Sequence, residues 1–159
     1  MYNPQLARSF IFYIATLLFL GVGAMTTPQL AWYNTLTLPV FAPAPMIIAA
    51  IWCVLFYLTA YSLATFWSAK EIAHGTSFAF IVKLYLANAA LIVVWNWLFF
   101  GMHLLSAAAI AAVAVLLSIL VLMICLWHVS KKAAVLLAPY IVWIMFALYL
   151  NHVISILNP

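Results

Sequence analysis

Five long apolar segments constrain what this chain can fold into. They lie at about 8–26, 46–68, 78–100, 105–127 and 135–157. A helix needs roughly 20 residues to cross the ~30 Å hydrocarbon core of a bilayer, so each segment is long enough to span one. Only 4% of the residues are charged, whereas a soluble domain carries about 25%. The sequence therefore predicts an all-α integral membrane protein, a bundle of five transmembrane helices in one membrane domain over residues 1–159.

The first apolar segment has a second interpretation. Arg8, followed by apolar residues and by Val22-Gly23-Ala24, loosely resembles a secretory signal peptide with a small-residue cleavage site. The run is long for such a signal, and cleavage would leave an aromatic stretch as the new terminus. We therefore expect a transmembrane helix here.

The scarcity of ionisable residues argues against several function classes. The net charge of +4 rests on five Lys and Arg residues, which do not form the clustered basic face of a nucleic-acid-binding protein. The one acidic residue, Glu71, lies in a polar turn beside Lys70. No span therefore carries the acidic side chain that ion-coupled transporters use. We expect no nucleic-acid partner.

The histidines and cysteines show no metal-ligand spacing. The four histidines lie at or near the ends of the spans: His74, His103, His128 and His152. None is paired with another at the i, i+4 spacing that would hold a haem or a metal ion. Cys53 and Cys125 lie singly inside apolar segments, where we expect buried thiols. The sequence predicts no metal site and no cofactor.

Charge placement predicts the orientation in the membrane. With five spans, the N-terminus, the second loop and the fourth loop share one side, and Arg8, Lys70, Lys131 and Lys132 all fall there. Lys83 lies near the start of the third span, from where its long side chain can reach the same side. The positive-inside rule then places the N-terminus in the cytoplasm and the C-terminus outside, in a bacterial cell membrane.

Aromatic and amide side chains concentrate in one loop and on three helix faces. The loop, AWYNTLTLPVFAPAP at 31–45, holds three prolines, and on its residues alone it is most simply an aromatic belt at the membrane interface. The faces have the spacing of a helix. They consist of Trp52, Phe56 and Thr59; of Asn88, Ile92, Trp95 and Phe99, flanked by Asn96; and of Tyr140, Trp143, Ala147 and Asn151. Amides are costly against lipid, so we expect these asparagines to point into the bundle, where they join helices or contact a ligand.

The order of these residues resembles the translocator protein family, the tryptophan-rich sensory proteins also called peripheral-type benzodiazepine receptors. The matching positions of the first loop and second span are Trp32, Tyr33, Leu36, Pro39, Phe41, Pro43 and Trp52. The third span, YLANAALIVVWNWLFFG, is similar to the family's Trp-x-x-x-Phe-Phe segment at Trp95, Phe99 and Phe100. The fifth matches its Pro-Tyr-x-x-Trp motif at Pro139, Tyr140 and Trp143.

The resemblance implies a five-helix bundle whose first loop closes over a cavity between the helices. Members of the family bind tetrapyrroles such as protoporphyrin IX, and in animals sterols and synthetic benzodiazepine-like drugs. Tryptophan and tyrosine faces suit a flat apolar macrocycle, and prolines reduce the entropy lost when a lid closes. The implied ligand-binding residues are Trp32, Tyr33, Phe41, Pro43, Ile48, Trp52, Phe56, Asn88, Ile92, Trp95, Trp143, Ala147 and Asn151.

Several departures from the family pattern reduce the polarity of the implied pocket. Leu38-Pro39 stands where Lys-Pro is usual, and Asn88 and Ile92 replace a Gln and an Asn. No Lys or Arg follows Lys132, so the C-terminal sterol-recognition pattern is absent. The sequence therefore favours a tetrapyrrole over a sterol as the ligand.

Two other functions remain open beside a tetrapyrrole-binding receptor or transporter-like protein. Some bacterial relatives are credited with degrading bound porphyrin in light, and the matching redox residues here would be Trp52 and Trp143. Product formation under illumination would separate that enzyme from a binding protein. A structural membrane protein without a small ligand would instead show no quenching of tryptophan fluorescence by porphyrin.

The fourth span opens with small residues that permit close helix packing. Ala107 and Ala111, and likewise Ala108 and Ala112, are four residues apart, a spacing that lets two helix backbones approach. The resemblance implies a homodimer, and this face is a candidate interface. The alternative is that the same alanines pack inside the bundle.

The predicted orientation is testable with fused reporters. A reporter after Pro159 should be external and one at Met1 cytoplasmic, because all five basic residues map to one side. A cytoplasmic C-terminal reporter in the native membrane would contradict the five-span count or the orientation.

Overall fold

The computed structural model describes residues 30–68 and 76–159, which contain helices joined by loops and no strand in either range. The helices are α1 (Leu30–Tyr33), α2 (Pro45–Ser68), α3 (Thr76–Asn96), α4 (Leu105–Trp127), α5 (Lys131–Val135) and α6 (Ala138–Leu157). A π-helical turn, Trp97–Gly101, continues α3. The predicted span at 8–26 lies outside the described residues, as do Arg8, Lys70, Glu71 and His74.

Four helical segments of the described chain are long and apolar enough to cross a membrane. They correspond to the segments predicted at 46–68, 78–100, 105–127 and 135–157. In the last of these, α5 and α6 are separated at Leu136 and Leu137. Pro139 is the cause, because it has no N–H to donate to the Val135 carbonyl and its ring occupies that space. The same residue is favourable within the first turn of α6.

The two cysteines differ in how far their side chains are exposed on the bundle. Cys53 was predicted to be buried, and this is wrong, because its side chain lies exposed on the outer face of α2. Cys125 is partly buried. Lipid chains are as apolar as the interior of the bundle, so a thiol can face them without cost. Its weak polarity therefore does not indicate whether a cysteine is buried in the bundle or faces lipid.

The helix α4 lies between α3 and α6 and makes its most extensive contacts with them. Ala108 and Ala112 are buried within this packing, at 0% and 4% exposure. The face proposed as a dimer interface is therefore used inside the bundle, because small side chains let the neighbouring helices approach. The outward face of α4 carries larger apolar residues such as Ile110, Leu117 and Ile124.

A hydrogen-bonded group joins α2, α3 and α5 near the ends of these helices that lie away from the first loop. The fully buried Ser62 hydroxyl donates to the Ala133 carbonyl at 2.7 Å and lies 2.6 Å from the Tyr85 hydroxyl. A hydroxyl has one hydrogen. Since that of Ser62 is directed at Ala133, the Tyr85 hydroxyl is the donor to Ser62. The chain of bonds leaves neither hydroxyl unsatisfied in an apolar surrounding.

The π-helical turn changes the backbone geometry at the end of α3. The Met102 N–H donates to the Trp97 carbonyl at 2.9 Å, one residue further back than in an α-helix. His103 follows in the left-handed conformation, with φ of 58°. Gly101 lies directly against Trp97, since a Cβ added to it would be 2.8 Å from the indole Cδ1. The absence of a side chain at Gly101 therefore lets the indole lie across the turn.

This contact predicts that the effect of Gly101→Ala depends on Trp97. In the natural background the substitution should lower the free energy of unfolding by about 1 kcal/mol, the lower range for overpacking. In a Trp97→Ala background the clash is absent, and Gly101→Ala should be neutral or stabilising because Ala favours helix over Gly. Thermal unfolding in detergent of the four variants gives the coupling. Equal effects of Gly101→Ala in both backgrounds would show that the indole does not require this glycine.

Candidate functional site

A small cavity lies between α2, α3 and α6, beneath the first loop. Its volume is about 40 Å³. It is lined by aromatic and aliphatic side chains and one amide: Tyr33, Ile48, Trp52, Trp95, Phe99, Phe100, Trp143, Ala147, Leu150, Asn151 and Ile154. At roughly 10–15 Å³ for each water-sized sphere, this is room for about three water molecules.

Trp52 is the centre of the aromatic wall. Its ring centroid lies 5.9 Å from that of Trp95 and 6.4 Å from that of Trp143, to which it is perpendicular. It also lies 5.1 Å from Phe56 on its own helix. Trp52 and Trp143 therefore meet in space, although about 90 positions separate them in the sequence. Such edge-to-face and tilted pairs are favourable for aromatic rings, so three helices are held together by indoles at the cavity.

Tyr33 closes the end of the cavity nearest the loop. Its ring is 4% exposed and lies against Phe99 and Phe100, at 6.3 and 6.2 Å between centroids. Burial raises the pKa of the Tyr33 phenol above its ordinary value, because an anion loses more hydration than the neutral form. The hydroxyl therefore stays protonated at neutral pH and is available as a donor.

Two polar atoms of the cavity residues are buried without a hydrogen-bond partner in the described structure. They are the Tyr33 hydroxyl and the Trp143 indole nitrogen. A buried donor that makes no bond costs free energy, roughly 1–3 kcal/mol for each group. Such atoms are rare in folded proteins, and each calls for an explanation such as a bound ligand.

Asn151 fixes the position of Trp95. Its Oδ1 accepts a hydrogen bond from the Trp95 Nε1 at 3.3 Å, and its Nδ2 donates to the Leu105 carbonyl at 3.0 Å. The side chain is buried. One amide therefore connects α6 to α3 and to the first residue of α4, and it satisfies an indole that would otherwise be unpaired.

Seven of the thirteen residues expected at the site line this cavity. They are Tyr33, Ile48, Trp52, Trp95, Trp143, Ala147 and Asn151. The other six lie elsewhere: Trp32, Phe41, Pro43, Phe56, Asn88 and Ile92. The first three belong to the loop and its preceding turn, and the last three to α2 and α3.

The loop residues lie around the cavity without lining it. Trp32 stacks on the His103 imidazole, with centroids 3.9 Å apart and 16° between planes. Phe41 stacks on Tyr149 at 5.5 Å, on the flank of α6. Pro43 is partly buried shortly before α2 begins. Their contacts attach the loop to neighbouring elements.

The three helical residues contribute to packing beside the cavity. Asn88 accepts a hydrogen bond from the Tyr140 hydroxyl at 3.3 Å and donates to Ser118 Oγ at 2.7 Å. It therefore joins α3, α4 and α6. Ile92 lies in the hydrophobic core, and Phe56 packs on the face of Trp52.

Four cavity residues were not among the expected site residues: Phe99, Phe100, Leu150 and Ile154. Ile154 could have been found by extending the stripe Ala147–Asn151 by three residues. Phe99 and Phe100 are adjacent, and an α-helix turns consecutive side chains about 100° apart. Phe99 shares the helix face of Trp95, whereas Phe100 reaches the cavity at the π-helical turn, of which helical periodicity gives no sign.

The described residues contain no group of three His, Cys, Asp or Glu side chains that could hold a metal ion. Tyr33 is the only titratable residue among those that line the cavity. The lining offers aromatic and aliphatic surface together with two unpaired hydrogen-bond donors.

Comparison with known proteins gives a consistent assignment. A family model described as TspO/MBR matches residues 10–157. The tryptophan-rich protein TspO of Chlorobaculum tepidum is 34% identical over 143 residues, which are 86% of this chain and 87% of that protein. The translocator protein of Bos taurus is 34% identical over 84% of this chain and 79% of its own. The tryptophan-rich sensory protein of Cereibacter sphaeroides is 29% identical over 86% and 82%.

The role of Asn151 predicts a measurable loss of stability. Asn151→Ala should lower the free energy of unfolding by about 1 kcal/mol, because hydrogen bonds between membrane helices contribute about 0.6 kcal/mol on average and up to about 1.7. The emission of Trp95 should also change as its indole loses its acceptor. His152→Ala is the matched control, since this neighbour on α6 is exposed. Equal unfolding temperatures for the two variants in detergent would exclude the bridging role.

Proposed function

The chain belongs to the TspO/MBR family of membrane proteins, and we propose that its aromatic cavity binds flat, apolar tetrapyrroles of the protoporphyrin IX type. The observation that carries the proposal is the meeting of Trp52, Trp95 and Trp143 from three helices around one cavity. Large aromatic faces offer a macrocycle extensive contact at defined angles. An interfacial belt would require each ring to face the lipid headgroups separately, whereas these three rings surround one cavity.

The unpaired polar atoms favour a ligand that carries hydrogen-bond acceptors. The Tyr33 hydroxyl and the Trp143 indole N–H are donors without partners in the described structure. An acceptor on the ligand would satisfy them and remove the cost of their burial. A tetrapyrrole with carboxylate side chains and ring nitrogens has such acceptors, whereas a hydrocarbon has none.

The size of the cavity sets a condition on binding. Its volume of about 40 Å³ is far below the roughly 300–1,000 Å³ of small-molecule sites. A tetrapyrrole can enter only if the walls separate. The movable parts are the first loop, which carries no long helix, and the rings of Phe99 and Phe100 at the irregular end of α3. Binding is therefore expected to be slower than diffusion and to depend on the loop.

The proposal extends to the arrangement in the membrane. We propose that the segment at 8–26 completes a single five-helix domain with the described helices, with its N-terminus in the cytoplasm. The contacts of Trp32 with His103 and of Thr37 with Asn158 support the five-span order, because they bring the first loop, the α3–α4 turn and the end of α6 to one end of the bundle. The cytoplasmic N-terminus rests on the placement of the basic residues. A homodimer is part of the proposal, through a face other than that of Ala108 and Ala112.

The test is a porphyrin titration with tryptophan variants. Trp52→Phe and Trp143→Phe should each weaken binding by about two- to tenfold, since an aromatic contact is worth roughly 0.5–1.5 kcal/mol beyond burial and about 1.4 kcal/mol is one decade. Protoporphyrin IX is titrated in the dark, in one detergent, and quenching of tryptophan fluorescence is read.

Trp127→Phe is the control for this titration. Trp127 is 45% exposed at the far end of α4, where Lys131 Nζ lies 5.8 Å from its ring centroid. An equal loss of affinity in this variant would show that the site does not lie between Trp52 and Trp143. No quenching in the natural protein would refute tetrapyrrole binding. Repeating the measurement in light separates binding from degradation, which would bleach the porphyrin.

A further inference from the structure

One side chain beyond the end of α6 binds the loop that covers the cavity. Residues 34–44, which connect α1 to α2, are called the cavity loop here. Asn158 Oδ1 accepts a hydrogen bond from the Thr37 backbone N–H at 2.9 Å, and Asn158 Nδ2 donates to the Thr37 carbonyl at 3.1 Å. The same Nδ2 donates to the Ile154 carbonyl at 2.9 Å. A single amide therefore binds both backbone groups of Thr37 and the last turn of its own helix.

This contact lies close to residues that line the cavity. Ile154, whose carbonyl accepts from Asn158, lines the cavity and lies one turn before Asn158. Tyr33, which closes the cavity on the same side, comes four residues before Thr37 in the chain. The amide of Asn158 therefore ties the cavity loop to the helix that forms one wall.

Two other contacts that attach the cavity loop and α1 to the bundle are stacked rings, not hydrogen bonds. Trp32 stacks on His103, and Phe41 stacks on Tyr149. Stacked rings tolerate sliding and tilting, because their attraction varies slowly with position. A pair of hydrogen bonds from one rigid amide requires a fixed distance and direction. The Asn158–Thr37 contact is thus the one among these that defines a closed position of the cavity loop.

We propose that Asn158 is a positioning residue that holds the cavity loop closed, and that its two bonds to Thr37 break each time a ligand enters or leaves. Both bonds lie at exposed positions, so water can replace them when the loop lifts and no buried group is left unpaired. The proposal rests on the proposed function for the nature of the ligand, but the opening of the loop does not depend on it.

The opening can be measured without a ligand through a thiol placed in the cavity. Leu150→Cys introduces one at a buried position of the cavity wall, in a background where Cys53 and Cys125 are replaced by alanine. A charged maleimide cannot fit into about 40 Å³, so its reaction rate reports how often the cavity opens. Adding Asn158→Ala should raise this rate about tenfold, the factor that corresponds to about 1.4 kcal/mol.

Two further variants make this result specific. Ser155→Ala is the matched control, because the Ser155 hydroxyl donates only to the His152 carbonyl of its own helix at 2.7 Å, and it should leave the rate unchanged. Asn158→Asp keeps an acceptor for the Thr37 N–H and loses both donated bonds, so its rate should lie between the others. Equal labelling with and without Asn158→Ala, or an equal increase with Ser155→Ala, would overturn the proposal.

Porphyrin kinetics then link the loop to binding. In Asn158→Ala, protoporphyrin IX should both associate and dissociate faster, while its equilibrium affinity changes by less than either rate. Unchanged rates beside faster labelling would show that the ligand enters elsewhere and would overturn the role in ligand passage. If the natural protein binds no porphyrin, the proposed function fails, and the labelling result still decides whether Asn158 holds the loop.

Discussion

Hydrogen bonds between helices determine how this bundle is assembled. In a bilayer, apolar faces gain nothing by leaving lipid for one another, so packing and polar contacts decide which faces meet. Three such contacts follow one another along α3: Tyr85 with Ser62, Asn88 with Tyr140, and Trp95 with Asn151. The first contact joins α3 to α2, and the other two join α3 to α6 at different depths. Together they fix the register of α3 against α2 and α6.

The cavity is a consequence of that register. Once Asn151 holds Trp95 and the alanines of α4 bring α3 and α6 close to that helix, the indoles of Trp52 and Trp143 fill most of the remaining space. Rigid rings cannot fill it completely, since their shape offers few ways to interdigitate. What remains is a small aromatic space with two unpaired donors. The proposal of a flat ligand with an apolar face and acceptor atoms rests on these two features.

Much of the fold could be predicted from the sequence, because length and apolarity alone set where a helix can span. Helical periodicity also found the cavity residues that lie on regular helix faces, such as Trp52, Trp95 and Trp143. It failed at Phe100, where a π-helical turn changes the period. It also left open whether Asn88 joins helices or contacts a ligand, and in the structure this amide joins three helices.

The contact of Asn158 with Thr37 was beyond sequence reasoning for a different reason. A single amide far along the chain from its partner leaves no periodic pattern, and only the folded backbone brings the two together. The same holds for Trp32, whose stacking on His103 depends on the left-handed conformation of that histidine.

The central claim is that the space between Trp52, Trp95 and Trp143 is the ligand site. The most direct test is a crystal structure of the protein with zinc protoporphyrin IX, in which anomalous scattering from zinc locates the ring. The account predicts one zinc peak within this space, with the cavity widened and the loop contact between Thr37 and Asn158 restored above it. A zinc peak on the lipid-facing surface, with the three indoles still in mutual contact, would contradict it.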